Sequence, residues 1–114
     1  MPQDTRKHKR YTLTASALIR IPESQPFETL VANISKMGLG LYSDKHIPTE
    51  TPVSIDLSFF SSEGILQSDH IEGTVASVTK MGRLYYIGVI FPEELTKERQ
   101  PFLFEHFTRI TSWY

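Results

Sequence analysis

The chain has 114 residues, of which 39% are apolar and 22% are charged, and its formal net charge is −1. That length and composition are typical of one globular domain. The absence of cysteine excludes disulfides, thiolate metal sites and thiol redox chemistry. The N-terminus lacks the apolar core of a secretory signal, and no segment approaches the roughly 18 apolar residues that a transmembrane helix needs. We therefore expect a cytoplasmic protein that does not insert into a membrane.

The charge is distributed unevenly along the chain. Residues 1–10, which we call the arm, carry four Lys or Arg residues against one acidic residue, whereas residues 11–114 carry eight against twelve. A basic arm on an acidic body suits a small anionic ligand that is held at one place. It does not suit a long nucleic acid, which needs a broad basic face.

Apolar residues alternate with polar ones in several short segments, the period-2 pattern of half-buried β-strands. Proline, glycine and polar residues separate these segments and predict turns. Six such strands joined by turns predict an antiparallel sheet that closes or curls to protect its edges. The predicted strands are residues 13–21, 27–34, 39–42, 53–59, 71–78 and 84–91.

The C-terminal part of the chain changes to a helical pattern. Pro101 is tolerated at the first position of a helix but not deep inside one, so we place the helix at residues 101–112. The fold class is therefore all-β with one helix: a six-stranded antiparallel β-barrel that a C-terminal α-helix plugs or covers. The periodicity predicts the number of elements but not their topology. The apolar stripe of the helix is predicted to hold Phe102, Leu103, His106, Phe107 and Ile110.

Two arginines stand four positions apart in the arm. Residues 6–10 read RKHKR, so Arg6 and Arg10 enclose two lysines and a histidine. Guanidinium groups bind phosphate through two parallel hydrogen bonds and stack on purine rings. A charged run of this kind, taken alone, is usually a solvated terminus.

A second motif lies at the end of the second predicted strand, where residues 33–38 read NISKMG. It supplies the amide of Asn33 and the hydroxyl of Ser35, and it ends at Gly38. Asn and Ser favour turns, and glycine lets a backbone come close to a ligand. Taken alone, this motif is usually only a hairpin turn.

Together the two motifs resemble the signature of the PilZ domain family, Arg-x-x-x-Arg followed by Asp/Asn-x-Ser-x-x-Gly. The resemblance implies a six-stranded barrel with a C-terminal helix that binds the bacterial second messenger cyclic di-GMP. It implies that Arg6 and Arg10 grip phosphate and guanine. It also implies that Asn33 and Ser35 bind guanine edges or phosphate, and that Gly38 permits close backbone approach.

Two details of the resemblance affect the expected site. Asn33 stands where the signature also allows Asp, and an amide oxygen accepts one bond from guanine N1–H or N2–H where a carboxylate accepts two. We therefore expect a somewhat weaker site than an Asp version. The ending GVIF at residues 88–91 resembles the last strand of the family, and we interpret it, with Tyr85 and Tyr86, mainly as packing.

Catalytic interpretations find little support in the sequence. The histidines at positions 8, 46, 70 and 106 lack a metal-binding spacing such as HExxH. Ser68, Asp69 and His70 carry the letters of a triad, but neighbouring strand residues point to opposite faces. We expect no enzymatic activity, no metal and no cofactor.

The sequence thus predicts a binding module in which residues 1–10 form a flexible basic arm and residues 11–114 form the barrel with its helix. Its expected function is that of a cyclic di-GMP receptor or adaptor without an output domain of its own. It would order the arm over the barrel and signal through an unidentified protein partner in motility, biofilm polysaccharide or secretion. Two alternatives remain: a PilZ-like interaction module that does not bind nucleotide, and a small barrel that binds single-stranded nucleic acid through its arm.

Overall fold

The structure is a computed structural model that describes residues 11–61 and 63–110, the last two of these by their backbone only. The arm, with Arg6 and Arg10, and residues 111–114 lie outside the described residues. Six strands and one helix follow one another along the chain. They are β1 (Ala15–Arg20), β2 (Phe27–Ile34), β3 (Gly38–Ser43), β4 (Pro52–Phe60), β5 (Leu66–Met81), β6 (Leu84–Ile90) and α1 (Pro101–Ile110).

The six strands form a closed barrel in the order β1-β2-β3-β6-β5-β4, and every neighbouring pair is antiparallel. The predicted fold class is confirmed. The alternating apolar residues point into the barrel, because successive strand residues face opposite sides of a sheet. Closure leaves no unpaired sheet edge among these strands. The side chains that fill the centre include Ile19, Ile34, Leu39, Leu41, Ile55, Leu57, Phe59, Ile71 and Ile87.

Strand β5 is longer than the sequence predicts, since it begins at Leu66 rather than at residue 71. Its first part lacks the apolar alternation because one inward position is occupied by a carboxyl group. Asp69 is only 6% exposed, and it accepts a hydrogen bond from the N–H of Leu103 in the first turn of α1 (2.7 Å). A buried carboxylate at a helix N-terminus satisfies a donor that has no partner within the helix.

Helix α1 begins at Pro101, as predicted. Leu103 and Phe107 are fully buried, and Phe104 also packs against the core. Phe102 was wrongly placed on the apolar stripe, because its side chain is 40% exposed. Successive helical residues differ by about 100°, so Phe102 turns away from the barrel once Leu103 and Phe107 face it. Within the described part of the chain, no helix is long and apolar enough to cross a membrane.

Candidate functional site

A backbone bridge connects Tyr11, the residue that follows the arm, to the second motif. The N–H of Tyr11 donates to the carbonyl oxygen of Ile34 (2.8 Å), and the N–H of Ile34 donates back to Tyr11 (2.9 Å). Ile34 lies inside the NISKMG motif, between Asn33 and Ser35. The chain that carries both arginines therefore joins the barrel directly beside the second motif.

The turn at residues 35–38 is held together mainly by Ser35. The backbone N–H of Ser35 donates to the carbonyl oxygen of Gly38 (2.8 Å). Its hydroxyl donates to the same oxygen (3.3 Å) and accepts a bond from the N–H of Met37 (3.3 Å). Ser35 is only 3% exposed. In this structure its hydroxyl shapes the turn from within.

Gly38 is required by the neighbouring strand. Its φ is not positive, in contrast to Gly64 and Gly82. A Cβ atom on Gly38 would lie 2.5 Å from the carbonyl oxygen of Val89 on β6, which is closer than real Cβ contacts allow. The backbone that closely approaches this glycine in the described structure is therefore that of β6.

The loop that follows β6 supports the same turn from outside the hairpin. The N–H of Phe91 donates to the carbonyl oxygen of Met37 and the N–H of Leu95 donates to that of Lys36, each at 2.8 Å. The ammonium group of Lys36 lies 6.0 Å from the ring centroid of Phe104 on α1, within the range of a cation–π contact. The 35–38 turn is thus braced by β6, by the 91–95 segment and by the helix.

Asn33 lies on the outer face of the barrel, where it contacts a residue that the sequence analysis assigned to packing. The amide nitrogen Nδ2 of Asn33 donates to the hydroxyl of Tyr86 on β6 (2.8 Å). Tyr86 reaches Asn33 by crossing over Gly40 on β3, where a Cβ atom would collide with the tyrosine hydroxyl. The ring of Tyr42 meets that of Tyr86 edge-on, with centroids 5.5 Å apart.

Gly40 belongs to a row of small residues that crosses four neighbouring strands on this outer face. Asn33 pairs with Gly40, Gly40 with Gly88, and Gly88 with Ser77. The Oγ atom of Ser77 lies 2.5 Å from where a Cβ of Gly88 would be. The space above the two glycines is therefore occupied by the hydroxyls of Tyr86 and Ser77. We call the Asn33 amide and these two hydroxyls the polar row.

The structure brings together the three described site residues that the sequence predicts. Asn33, Ser35 and Gly38 lie at one end of the β2–β3 hairpin, with Asn33 outward and the other two buried. The polar row also contains two residues that the sequence analysis did not select, Tyr86 and Ser77. The two glycines are the sequence feature that could have indicated that neighbouring side chains lie across this part of the sheet.

A separate charged cluster lies on the outer face of β1, β4 and β5, and β4 is opposite β3 in the barrel order. Asp56 pairs with Arg20 and with Nδ1 of His70 (2.8 Å), and Nε2 of His70 pairs with Glu72. The hydrogen bond from Arg20, followed by that from His70, lowers the pKa of Asp56. The bond to Asp56 is the main cause that raises the pKa of His70.

This charged cluster borders two clefts of about 290 and 230 Å³, neither of which is lined by residues 33–38. Glu72 contributes to both clefts. No group of three or more His, Cys, Asp or Glu side chains in the described ranges is arranged to hold a metal ion. The cluster is therefore an ion-pair network on the acidic body, on strands other than those that carry the NISKMG motif.

Comparisons with known proteins agree with this geometry. The sequence matches the family model of the PilZ domain over residues 4–105, and a comparison with curated proteins finds no significant match. The fold is similar to that of the Bacillus subtilis inhibitor of motility MotI/DgrA, with a TM-score of 0.72 and 16% sequence identity over 95% of this chain and 52% of that one. The chain thus spans about half the length of that solved structure. Because the family model covers nearly all of the chain, including both motifs, the protein belongs to the PilZ domain family of cyclic di-GMP-binding modules.

Proposed function

We propose that this protein is a cyclic di-GMP receptor that binds the nucleotide between the arm and the outer face of β2, β3 and β6. The observation that carries the proposal is the Tyr11–Ile34 bridge, which pairs the residue directly after the arginine motif with a residue inside the Asn-Ser motif. Neither motif alone distinguishes a binding site from a charged terminus or a plain hairpin. Because the two motifs would meet at one point, a ligand with two negative charges would find cations and hydrogen-bonding groups in the same place.

We assign different roles to the five site residues. Arg6 and Arg10, which lie outside the described residues, would grip phosphate and guanine with their guanidinium groups. Asn33 would accept a bond from guanine through Oδ1. Ser35 and Gly38 would act mainly by keeping the turn in shape, since both are buried and bonded within the hairpin.

The proposed mechanism is an ordering of the arm. Phosphate groups give the two arginines a common anchor, so binding would fold residues 4–10 across the barrel beside the 33–38 turn. Such a change transmits information only when a partner distinguishes the two states. We therefore propose that the clamped arm and the adjoining barrel form the output surface for a protein partner.

The partner and its pathway belong to the same proposal. The similar Bacillus subtilis protein is described as an inhibitor of motility, and motility machinery is accordingly one candidate output, beside polysaccharide and secretion systems. We propose a cytoplasmic location, because a second messenger acts inside the cell. In this proposal the protein binds its ligand and acts as an adaptor, without catalysis and without a metal or cofactor.

The decisive experiment is a calorimetric titration of the full chain with cyclic di-GMP, with GTP and cyclic di-AMP as controls. Saturable binding of cyclic di-GMP that neither control matches supports the proposal. No binding would favour a PilZ-like interaction module that does not take nucleotide. Binding of oligonucleotides that weakens steeply with salt would favour a single-stranded nucleic acid module instead.

A further inference from the structure

We infer that Tyr86 is a specificity-determining residue and that the Asn33–Tyr86 pair reads guanine in preference to adenine. This inference rests on the proposed function, because it assigns the base specificity of the same site. It starts from the hydrogen bond in which Nδ2 of Asn33 donates to the hydroxyl of Tyr86 (2.8 Å). Sequence reasoning assigned Tyr86 to packing, and the PilZ signature does not include it.

The direction of that bond determines what the pair can offer to a ligand. An amide nitrogen only donates, so the oxygen of Tyr86 must be the acceptor and its own proton is directed elsewhere. Oδ1 of Asn33 has two lone pairs, so it can accept a bond in addition to any that it already makes. The pair therefore presents a hydroxyl donor beside a carbonyl acceptor.

Guanine has the complementary order on its pairing edge. Its O6 accepts, and the neighbouring N1–H and N2–H groups donate. The hydroxyl of Tyr86 would donate to O6 while Oδ1 of Asn33 accepts from N1–H or N2–H. Adenine presents the opposite order, an amino donor beside the N1 acceptor, and matches the pair only if the Asn33 amide turns over.

The pair can be reached by a ligand only from outside the barrel. Asn33 and Tyr86 are half-buried on the outer face of the barrel. The side chain of Tyr86 covers Gly40 and the hydroxyl of Ser77 covers Gly88, so a base would lie over these side chains and not on the glycine backbone. Ile34, which follows Asn33, is bonded to Tyr11. A base in this place would lie near the point where Tyr11, the residue after the arm, pairs with the barrel.

The first test compares cyclic di-GMP with cyclic di-AMP on the full chain by calorimetric titration. Tyr86→Phe removes only the hydroxyl, and we expect it to weaken cyclic di-GMP binding about 3- to 10-fold, the effect of one net hydrogen bond. The ratio of the dissociation constants for cyclic di-AMP and cyclic di-GMP should decrease by a similar factor. Tyr85→Phe is the matched control, because Tyr85 points inward, packs on the core and lies against His46 (5.3 Å).

The outcomes separate this inference from the proposed function. A wild-type protein that binds neither nucleotide overturns both. A wild-type protein that binds cyclic di-GMP, together with a Tyr86→Phe variant of unchanged preference, overturns the specificity role of Tyr86 alone. A narrower preference in Tyr86→Phe but not in Tyr85→Phe supports it.

A double-mutant cycle tests whether the Tyr86 hydroxyl acts together with residue 33 or independently of it. In Asn33→Asp the carboxylate only accepts, so the Tyr86 hydroxyl would turn its proton towards residue 33 and away from the ligand. Adding Tyr86→Phe to Asn33→Asp should then leave binding unchanged or tighten it, since both carboxylate oxygens become available to guanine. The same 3- to 10-fold loss in both backgrounds would mean that the Tyr86 hydroxyl acts independently of residue 33, and would overturn the inference that the two residues read the base as a pair.

Discussion

The ring of Tyr11 lies against the ring of Phe107 on α1, with 5.5 Å between their centroids and 40° between their planes. The backbone of Tyr11 is at the same time paired with Ile34 in the second motif. Tyr11, the residue that follows the arm, therefore contacts both the candidate site and the helix. Contact alone does not establish coupling, so the route by which binding is transmitted needs a direct measurement.

Hydrogen exchange should show where the ligand acts. Without nucleotide, we expect the amides of residues 4–10 to exchange rapidly, because this segment is charged and poor in apolar residues. With cyclic di-GMP, new protection should appear at residues 4–11 and 33–40. A response confined to residues 101–110, or an arm that is already protected without ligand, would contradict the clamp and would indicate transmission through Phe107.

Removal of either arginine should weaken binding while the barrel stays intact. Arg6→Ala or Arg10→Ala removes charge-assisted bonds of about 1.5–3 kcal/mol, which corresponds to roughly 10- to 150-fold weaker binding. The unfolding temperature should hardly change, because the arm lies outside the predicted strands. Arg83→Ala is a matched control in the exposed β5–β6 turn, and it should bind like the wild type. If Arg6→Ala or Arg10→Ala binds with wild-type affinity, the arm is not part of the binding site.

The two buried motif residues should affect stability and binding together. Gly38→Val places a branched side chain where a Cβ would already lie 2.5 Å from the Val89 carbonyl oxygen. We expect a loss of about 1–3 kcal/mol in the free energy of unfolding and a severe loss of binding. Ser35→Ala removes the two hydroxyl bonds within the turn and should cost about 0.5–1.5 kcal/mol with a modest loss of affinity. Chemical denaturation and titration of both variants test this, and full stability in Gly38→Val would refute the packing argument.

Asp69 should contribute to stability through the first turn of α1. Asp69→Ala leaves the Leu103 N–H without its acceptor at 2.7 Å, and an unsatisfied buried donor costs about 1–3 kcal/mol. Asp69→Asn keeps an acceptor oxygen and should cost less. An equal loss in the two variants by chemical denaturation would show that the hydrogen bond is not the cause.

The pH dependence gives Asp69 a second signature. Burial raises the pKa of Asp69, against the opposing effect of the Leu103 and Phe102 N–H groups. The folded state therefore holds this proton more tightly than the unfolded state, so this contribution to the unfolding free energy decreases as pH rises from about 3.9 through the folded-state pKa. Asp69→Asn should abolish that contribution. If the free energy of unfolding of Asp69→Asn changes with acidic pH as steeply as that of the wild type, Asp69 is not the source of the contribution.

His70 should make the free energy of unfolding depend on pH in a different range. Its pKa is raised mainly by the bond to Asp56, so its contribution to stability is complete below the unfolded value of about 6.5 and is lost as pH rises through the folded-state pKa. The group is largely exposed, so we expect no more than about 0.2–1 kcal/mol. The free energies of unfolding of the wild type and of His70→Gln, compared across this pH range, measure the contribution. If both change equally with pH, His70 is not its source.

His106 serves as an internal control for that experiment. Burial lowers the pKa of His106, so its neutral form is favoured in the folded protein, and its contribution is lost as pH falls below about 6.5. The two histidines therefore act in opposite directions. In His106→Gln, the free energy of unfolding should decrease less than in the wild type as pH falls below about 6.5. In His70→Gln, it should decrease less than in the wild type as pH rises above about 6.5.

The sequence alone determined the features that depend on near neighbours. Strand β2 matches its prediction at both ends, and α1 begins at Pro101 as predicted, because side-chain periodicity and proline geometry act locally. The two motifs indicated the family for the same reason, since each is a short pattern of residue types. The first part of β5 escaped prediction because the inward residue there is Asp69, whose partner, Leu103, is 34 positions away.

Only the tertiary structure decided which residues share the outer surface of the site. Asn33 and Tyr86 are 53 positions apart, and nothing in their local sequences pairs them. Their contact depends on β3 pairing with β6 and on the register that places Gly40 opposite Gly88. Barrel closure sets that order through long-range backbone hydrogen bonds, so the position of Tyr86 beside Asn33 follows from the whole fold and not from either motif.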